Sequence, residues 1–101
     1  MPVEFKKQRH TLTAYLIGEI DHHTAEDIRT QIDEKIRREK PEKLCLQFRG
    51  VTFMDSSGVG LVMGRYRLLS TYGGRLELAG MSATVKRIMR LSGIEKIAAV
   101  V

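Results

Sequence analysis

The chain has 101 residues, of which 43% are hydrophobic and 29% are charged, and its net charge is +5. This length and composition predict one folded domain, residues 1–101, with its own core, and they exclude a disordered or low-complexity chain. The single cysteine, Cys45, has no partner for an internal disulfide, so we interpret it as a core residue of a cytoplasmic protein. No apolar run is long enough to span a membrane, and residues 1–7 lack the apolar segment of a signal peptide.

The positive charge is distributed along the whole chain and forms no single basic segment. The three Phe and three Tyr residues do not alternate with basic residues, an arrangement that would favour nucleic-acid binding. We therefore expect no nucleic-acid partner. An acidic surface of another protein is compatible with the same charge.

The first two predicted elements are strands at residues 3–9 and 12–20. Apolar and charged residues alternate in the first, and the second is rich in strand-forming residues. The connection through His10 and Thr11 is short, which predicts an antiparallel hairpin.

A helix is predicted next, from Ala25 to Arg38. Its apolar stripe consists of Ala25, Ile28, Ile32 and Ile36. Either Asp21 or Thr24 is expected to cap its start, and Thr24 with Asp27 forms a weak capping box. The four-residue spacing predicts ion pairs within the helix, Asp33 with Arg37 and Glu34 with Arg38, and Lys40-Pro41 is expected to end it.

The second half of the chain alternates strands and helices. The predicted elements are a strand over Lys43–Arg49, a helix over Val59–Ser70, a strand over Arg75–Ala79, a helix over Ala83–Leu91 and a last strand over Ile97–Val101. The order is β-β-α-β-α-β-α-β. Helix-linked strands imply right-handed parallel crossovers, so the predicted fold is α/β with a mixed, mostly parallel sheet.

The central segment is the turn between the Lys43–Arg49 strand and the second helix, where the sequence reads Met54-Asp55-Ser56-Ser57-Gly58. Ser56 or Ser57 is expected at the N-cap, with its hydroxyl accepting from free N–H groups of the first turn. The same N–H groups and the helix dipole also favour an added anion. The alternative interpretation, which we favour for Ser56, is therefore that the hydroxyl accepts a phosphoryl group.

The second predicted helix has an unusually apolar outer face. Its expected core side carries Val59, Val62, Tyr66 and Leu69, and the opposite side carries Ser57, Gly60, Leu61, Gly64 and Leu68. Two glycines on this face cost helix propensity, which suggests that another molecule approaches the backbone closely. The alternative is that a neighbouring helix of the same chain covers this side.

Three other kinds of site are less well supported. A serine hydrolase lacks both the Gly-x-Ser-x-Gly turn and a suitable order of acid and base residues. A metal site at Asp21, His22 and His23 lacks a further ligand, because adjacent histidines point in different directions. Nucleotide binding would use the Gly58–Gly64 segment, but its glycine spacing departs from the dinucleotide pattern and no Walker lysine follows.

Several segments together resemble the anti-sigma factor antagonists, a family of STAS domains, and especially those that act on the anti-sigma F factor in sporulation. They are Gly18–Glu26, Phe53–Gly60 with Gly64-Arg65-Tyr66, and Val85-Lys86-Arg87 with Leu91–Ile94. The likeness covers nearly the whole chain, and relatives usually continue into a further C-terminal helix. It implies a STAS-like sheet with one antiparallel edge strand and with helices packed largely on one face.

The resemblance also implies a function. Unphosphorylated protein would bind an anti-sigma factor that is also a serine kinase and thereby free the sigma factor. Phosphorylation of Ser56 would abolish binding, and a PP2C-like phosphatase would restore it. The protein would be a monomeric substrate and ligand, with no catalytic activity, cofactor or metal. The expected partner-binding residues are Asp21, His22, His23, Thr24, Met54, Asp55, Ser57, Gly58, Gly60, Leu61, Gly64 and Leu68. The alternatives are a nucleotide-binding STAS module and a STAS subunit of a stress-signalling scaffold or a transporter system.

Overall fold

The computed structural model describes residues 2–101, which form one five-stranded sheet and three α-helices. The elements in chain order are β1 (Val3–Gln8), β2 (Thr11–Ile20), α1 (His22–Glu39), β3 (Lys43–Met54), α2 (Ser57–Ser70), β4 (Arg75–Ala79), α3 (Ala83–Leu91), a short 3-10 turn (Ile94–Lys96) and β5 (Ala99–Val100). None of the helices in this part of the chain is long and apolar enough to cross a membrane.

The strands lie side by side in the order in which they occur in the chain. β1 pairs with β2 in the antiparallel direction, and each of the other neighbouring pairs is parallel. The two-residue turn at Arg9 and His10 makes the first pair a hairpin, whereas the later strands are connected through helices or helical turns. The predicted mixed, mostly parallel sheet is confirmed.

The core lies on one face of the sheet. Alternate residues of the central strands are buried there, namely Leu12, Ala14 and Leu16 of β2, Leu44, Leu46 and Phe48 of β3, and Leu76 and Leu78 of β4. They form a single apolar cluster with residues from all three helices. The opposite face leaves Tyr15 and Ile17 exposed. The helices therefore pack on one side of the sheet, as predicted.

β3 is longer than predicted, because it continues past Arg49 to Met54. Gly50 weakens the strand pattern in the sequence, but β2 runs alongside as far as Ile20 and supplies pairing partners to the end. The register between the two strands shifts twice, once between Tyr15 and Ile17 and once between Gly18 and Glu19. The segment before the serine turn is thus held in the sheet.

α1 begins three residues before its predicted start. The carboxylate of Asp21 accepts from the backbone N–H groups of His23, at 2.9 Å, and Thr24, at 3.0 Å. The hydroxyl of Thr24 in turn accepts from the Asp21 N–H at 2.9 Å. The capping box therefore joins Asp21 to Thr24, and the predicted pairing of Thr24 with Asp27 is wrong. Because a satisfied cap precedes it, His22 lies within the first turn.

One of the two ion pairs predicted within α1 forms. Arg38 Nη2 lies 2.7 Å from Glu34 Oε1 on the exposed side of the helix. The prediction for Asp33 and Arg37 is wrong, because Asp33 is buried and pairs with Arg65 of α2. Asp33 pairs with Arg65 and not with Arg37, because the packing of α2 against α1 brings Arg65 to the buried carboxylate.

Candidate functional site

The ends of β2 and β3 bring two polar segments to one edge of the sheet. Ile20 is aligned with Met54 in the parallel register, and the Asp55 N–H donates to the Ile20 carbonyl at 3.1 Å. The segment Asp21–Thr24 therefore begins beside the segment Asp55–Gly58. Most of the residues predicted to bind a partner lie in these two segments, and the fold places them together.

The serine turn is held by Asp55. Its carboxylate accepts from the Ser57 N–H at 2.8 Å. Ser56 occupies the N-cap position, but its backbone is already helical and its side chain makes no cap hydrogen bond within the described chain. The prediction that a serine hydroxyl caps this helix is therefore wrong, because the preceding aspartate satisfies the nearest donor. Ser56 is exposed, whereas Ser57 is half-buried.

The Asp21 carboxylate is stabilised in its charged form. The hydrogen bond from the Thr24 N–H is the main cause that lowers its pKa, with smaller contributions from the His23 N–H and the Thr24 hydroxyl, while desolvation opposes them. This carboxylate is thus fixed in position at the start of α1 and carries its negative charge at neutral pH. It lies at the same sheet edge as Asp55.

α2 packs against α1 on a side that was predicted to face outward. Leu61 is only 4% exposed and belongs to the apolar core together with Val62 and Leu69. The predicted outward orientation of Leu61 is wrong, and the alternative that a neighbouring helix covers this side is correct at that position. α1 lies there because its own isoleucine stripe must also be buried.

Gly60 and Gly64 remain open. Apart from the adjacent residues and the backbone of α2 itself, no atom of the described residues lies within 4 Å of the place that a Cβ would occupy at either position. They are one turn apart, so together they form a shallow, uncovered notch on α2. Leu68, one further turn along, is half-buried. Part of the predicted docking face is therefore accessible.

Gly58 has a different surrounding from Gly60 and Gly64. The side chain of Met54 fills the space where a Cβ of residue 58 would be. Both residues are buried, so neither lies on the open surface. Gly58 therefore serves the close packing of the turn against Met54.

A groove lies between the first turns of α1 and α2. It has a volume of about 280 Å³. It is lined by His22, Ala25, Glu26 and Arg29 of α1 and by Ser57, Gly60 and Leu61 of α2. His22 and His23 are exposed and contact each other edge to face. Within residues 2–101, no three His, Cys, Asp or Glu side chains are grouped closely enough to hold a metal ion.

Two residues near the site were missed by the sequence reasoning. Phe53 is 51% exposed at the end of β3, on the opposite side of the strand from buried Met54. Alternation along a longer strand would have predicted this. Arg65 is 5% exposed inside the α1–α2 interface, and no local pattern predicts a buried arginine at that position.

Comparison with known proteins agrees with this architecture. The sequence pattern of the STAS domain family matches residues 2–100. The chain belongs to the STAS domain family. This STAS domain is 38% identical to an anti-sigma F factor antagonist of Paenibacillus polymyxa over 97 residues, which are 96% of the chain and 83% of that protein. It is 41% identical to an anti-sigma F factor antagonist of Lysinibacillus sphaericus over 86 residues, 85% of the chain and 74% of that protein.

Solved structures give the same result. The STAS domain superposes on the unphosphorylated form of the anti-sigma factor antagonist SpoIIAA with a TM-score of 0.85 and 36% identity, covering 98% of this chain and 87% of that one. The phosphorylated form of SpoIIAA from Bacillus matches with a TM-score of 0.77 and 35% identity, covering 98% and 90%. The resemblance found in the sequence is confirmed at the level of family and fold.

Proposed function

We propose that this STAS domain is an anti-sigma factor antagonist whose binding is switched by phosphorylation of Ser56. In the unphosphorylated state it binds an anti-sigma factor that is also a serine kinase, and the sigma factor is released. The observation that carries the proposal is the juxtaposition of the Asp21–Thr24 and Asp55–Gly58 segments around an exposed Ser56, in a chain 38% identical to an anti-sigma F factor antagonist.

The choice of Ser56 over Ser57 rests on access. Ser56 is exposed and its hydroxyl takes no part in capping α2 within the described chain, so a kinase meets a free nucleophile. Ser57 is half-buried in the α1–α2 groove, and its N–H is already bonded to Asp55. A phosphoryl group on Ser56 also lies at a helix N-terminus, where the dipole favours an anion.

The switch is electrostatic. Phosphorylation adds nearly two negative charges beside Asp55 and next to the open glycine notch of α2. A partner docked over this surface would have to remove water from that charge, at a cost of several kcal/mol unless it supplies cations. The fold need not change, because the charge sits at the surface. The kinase reaction then separates the two proteins.

The docking surface comprises two groups of residues. The first is the Asp21–Thr24 segment at the start of α1. The second is Asp55 to Ser57 with the notch at Gly60 and Gly64 and the half-buried Leu68. Met54, Gly58 and Leu61 are buried, so they support this surface from beneath and do not form its outer layer.

The proposal assigns this STAS domain a regulatory role. It acts in the cytoplasm as a ligand and a kinase substrate, and it performs no catalysis of its own. A PP2C-like phosphatase removes the phosphoryl group and returns the domain to its binding state. The strong similarity to antagonists of the anti-sigma F factor supports a role in the transcription programme of sporulation.

The test uses the purified domain, its cognate anti-sigma factor and ATP. Ser56→Ala should bind as tightly as wild type and accept no phosphate, whereas Ser56→Asp should bind more weakly while unfolding at the same urea concentration. Ser57→Ala is the matched control and should still be phosphorylated, with the site mapped by mass spectrometry. Equal affinities of Ser56→Ala and Ser56→Asp, measured by titration calorimetry, would contradict the proposal.

A further inference from the structure

A buried ion pair joins α1 to α2. Arg65 Nε lies 2.7 Å from Asp33 Oδ1, and Arg65 Nη2 lies 3.4 Å from Asp33 Oδ2. Arg65 Nη1 also donates to the Leu61 carbonyl at 3.3 Å, within its own helix. Both residues are nearly fully buried, at 5% and 6% exposed. An apolar pair of similar volume would stabilise such an interface at least as well, so stability alone does not account for these charges.

The charges around Arg65 alternate along α1. Arg29, Asp33 and Arg37 follow one another at four-residue spacing on one side of the helix, which gives the order positive, negative, positive. Burial is the main cause that lowers the pKa of Arg65; the Asp33 charge raises it, and the charges of Arg29 and Arg37 lower it further. Arg65 therefore lies opposite the centre of the triplet, with a repelling charge on each side.

The apolar stripe of α1 does not by itself define a unique position for α2. α1 presents identical side chains, Ile28, Ile32 and Ile36, at successive turns. On α2, Gly60 and Gly64 contribute no apolar side chain that would oppose a displacement by one turn, and both glycines lower the helix propensity of the segment. Because this isoleucine ladder presents the same side chain at each turn, it does not select one register for a neighbouring helix.

We infer that the triplet Arg29, Asp33 and Arg37 sets the register of α2, and that Arg65 is the positioning residue that selects it. A displacement of one turn, about 5.4 Å, would move Arg65 away from Asp33 and beside Arg29 or Arg37. It would also leave the buried Asp33 carboxylate without its partner. Only Asp55 and Ser56 connect β3 to α2, so the available movement is unwinding of the glycine-containing first turn.

The register matters for the function proposed above, on which this consequence rests. The docking surface combines residues from the starts of α1 and α2, and the groove between them is lined by both helices. Moving α2 by one turn would displace the notch at Gly60 and Gly64 relative to the Asp21–Thr24 segment, while Asp55 stays bonded to the Ile20 carbonyl. A partner that contacts both segments would bind only the molecules in the native register, so its apparent affinity falls in proportion to their fraction.

Two double variants test the inference. Asp33→Leu with Arg65→Met removes the charges and keeps an apolar contact, so the urea midpoint should stay the same or rise. Asp33→Arg with Arg65→Asp keeps an attractive pair between the two helices but makes all three positions of the triplet positive. The aspartate at position 65 can then pair with an arginine in the native register or after a shift of one turn. Glu34→Gln with Arg38→Gln is the matched control, because it removes an exposed ion pair on the same helix.

The first readout is the set of nuclear Overhauser contacts between α1 and α2 in each variant without a partner. The second readout is the affinity of each unphosphorylated variant for the anti-sigma factor kinase. Both double variants should show a second set of contacts, and the control should show one. If nine-tenths of a variant populates the second arrangement, its affinity should fall about ten-fold.

The two readouts separate the two hypotheses. One native set of contacts in both double variants would overturn the register inference, whatever the affinities are. Displaced contacts in the double variants, combined with a wild-type domain that binds no anti-sigma factor, would support the register and refute the proposed function. Should the charge-exchanged variant not fold, the apolar variant alone decides the question.

Discussion

The side chain of Met54, the last residue of β3, occupies the space that a Cβ atom would take at Gly58 in the first turn of α2. Met54 is 6% exposed and is part of the core, so it fastens the serine turn to the sheet from beneath. Only a residue without a side chain fits over it at position 58. The turn that carries Ser56 is therefore positioned by a packing contact as well as by the Asp55 hydrogen bond.

Gly58→Ala should destabilise the domain despite the better helix propensity of alanine. The new methyl group would collide with the Met54 side chain, which has to move within a packed core, and overpacking of this kind costs about 1–3 kcal/mol. Urea unfolding followed by circular dichroism measures the change. A Gly58→Ala variant as stable as wild type would show that Met54 is free to move aside.

Gly60→Ala and Gly64→Ala should stabilise the domain, in contrast to Gly58→Ala. Both positions are open, so each alanine should raise the free energy of unfolding by up to about 1 kcal/mol through helix propensity. The added methyl groups would fill the notch and weaken binding to the anti-sigma factor. Thr30→Ala, at an exposed position of α1, is the control that gains propensity away from the notch. Unchanged affinity in the two α2 variants would remove the notch from the docking surface.

The Asp21 cap predicts a pH dependence of stability. The folded-state pKa of this carboxylate is lowered from its ordinary value of 3.8, mainly by the Thr24 N–H. Its stabilisation is therefore fully present above 3.8 and is lost as the pH falls through the lowered folded-state value. Urea midpoints measured from neutral to acid pH should show this loss in the wild-type domain.

Asp21→Asn is the control for that measurement. Asparagine also caps helices but does not ionise, so the difference in stability between the two proteins should shrink as the pH is lowered. A difference that stays constant over the whole range would mean that the charge of Asp21 does not contribute to the cap.

Cys45 should be unreactive in the folded domain. Burial is the main cause that raises the pKa of its thiol to about 11, and the charge of Glu77 and a hydrogen bond to it add to the shift. Since the thiolate is the nucleophile, alkylation by iodoacetamide at neutral pH should be slow in the folded protein and fast in urea. Glu77→Gln should lower the thiol pKa, and Lys43→Gln should raise it, because the Lys43 charge opposes the shift. The rate of alkylation against pH gives both values.

The order of the strands and helices could be predicted from the sequence alone, and so could the two segments that form the candidate site. Local patterns fix such features: β4 and α3 have the bounds that the sequence predicted, Arg75–Ala79 and Ala83–Leu91. The motif resemblance also identified the family and both segments that meet at the sheet edge. Their meeting follows from the parallel pairing of consecutive strands, which the helix-linked order implies.

Only the tertiary structure decided which side of α2 faces α1. An apolar, glycine-containing helix has no clear polar face, so its periodicity does not distinguish the buried side from the exposed one, and Leu61 was assigned to the wrong side. The partner of Asp33 is likewise invisible in the sequence, because Arg65 lies 32 residues away along the chain. Local residue patterns determined what each element is, whereas long-range packing determined which side chains remain available to another protein.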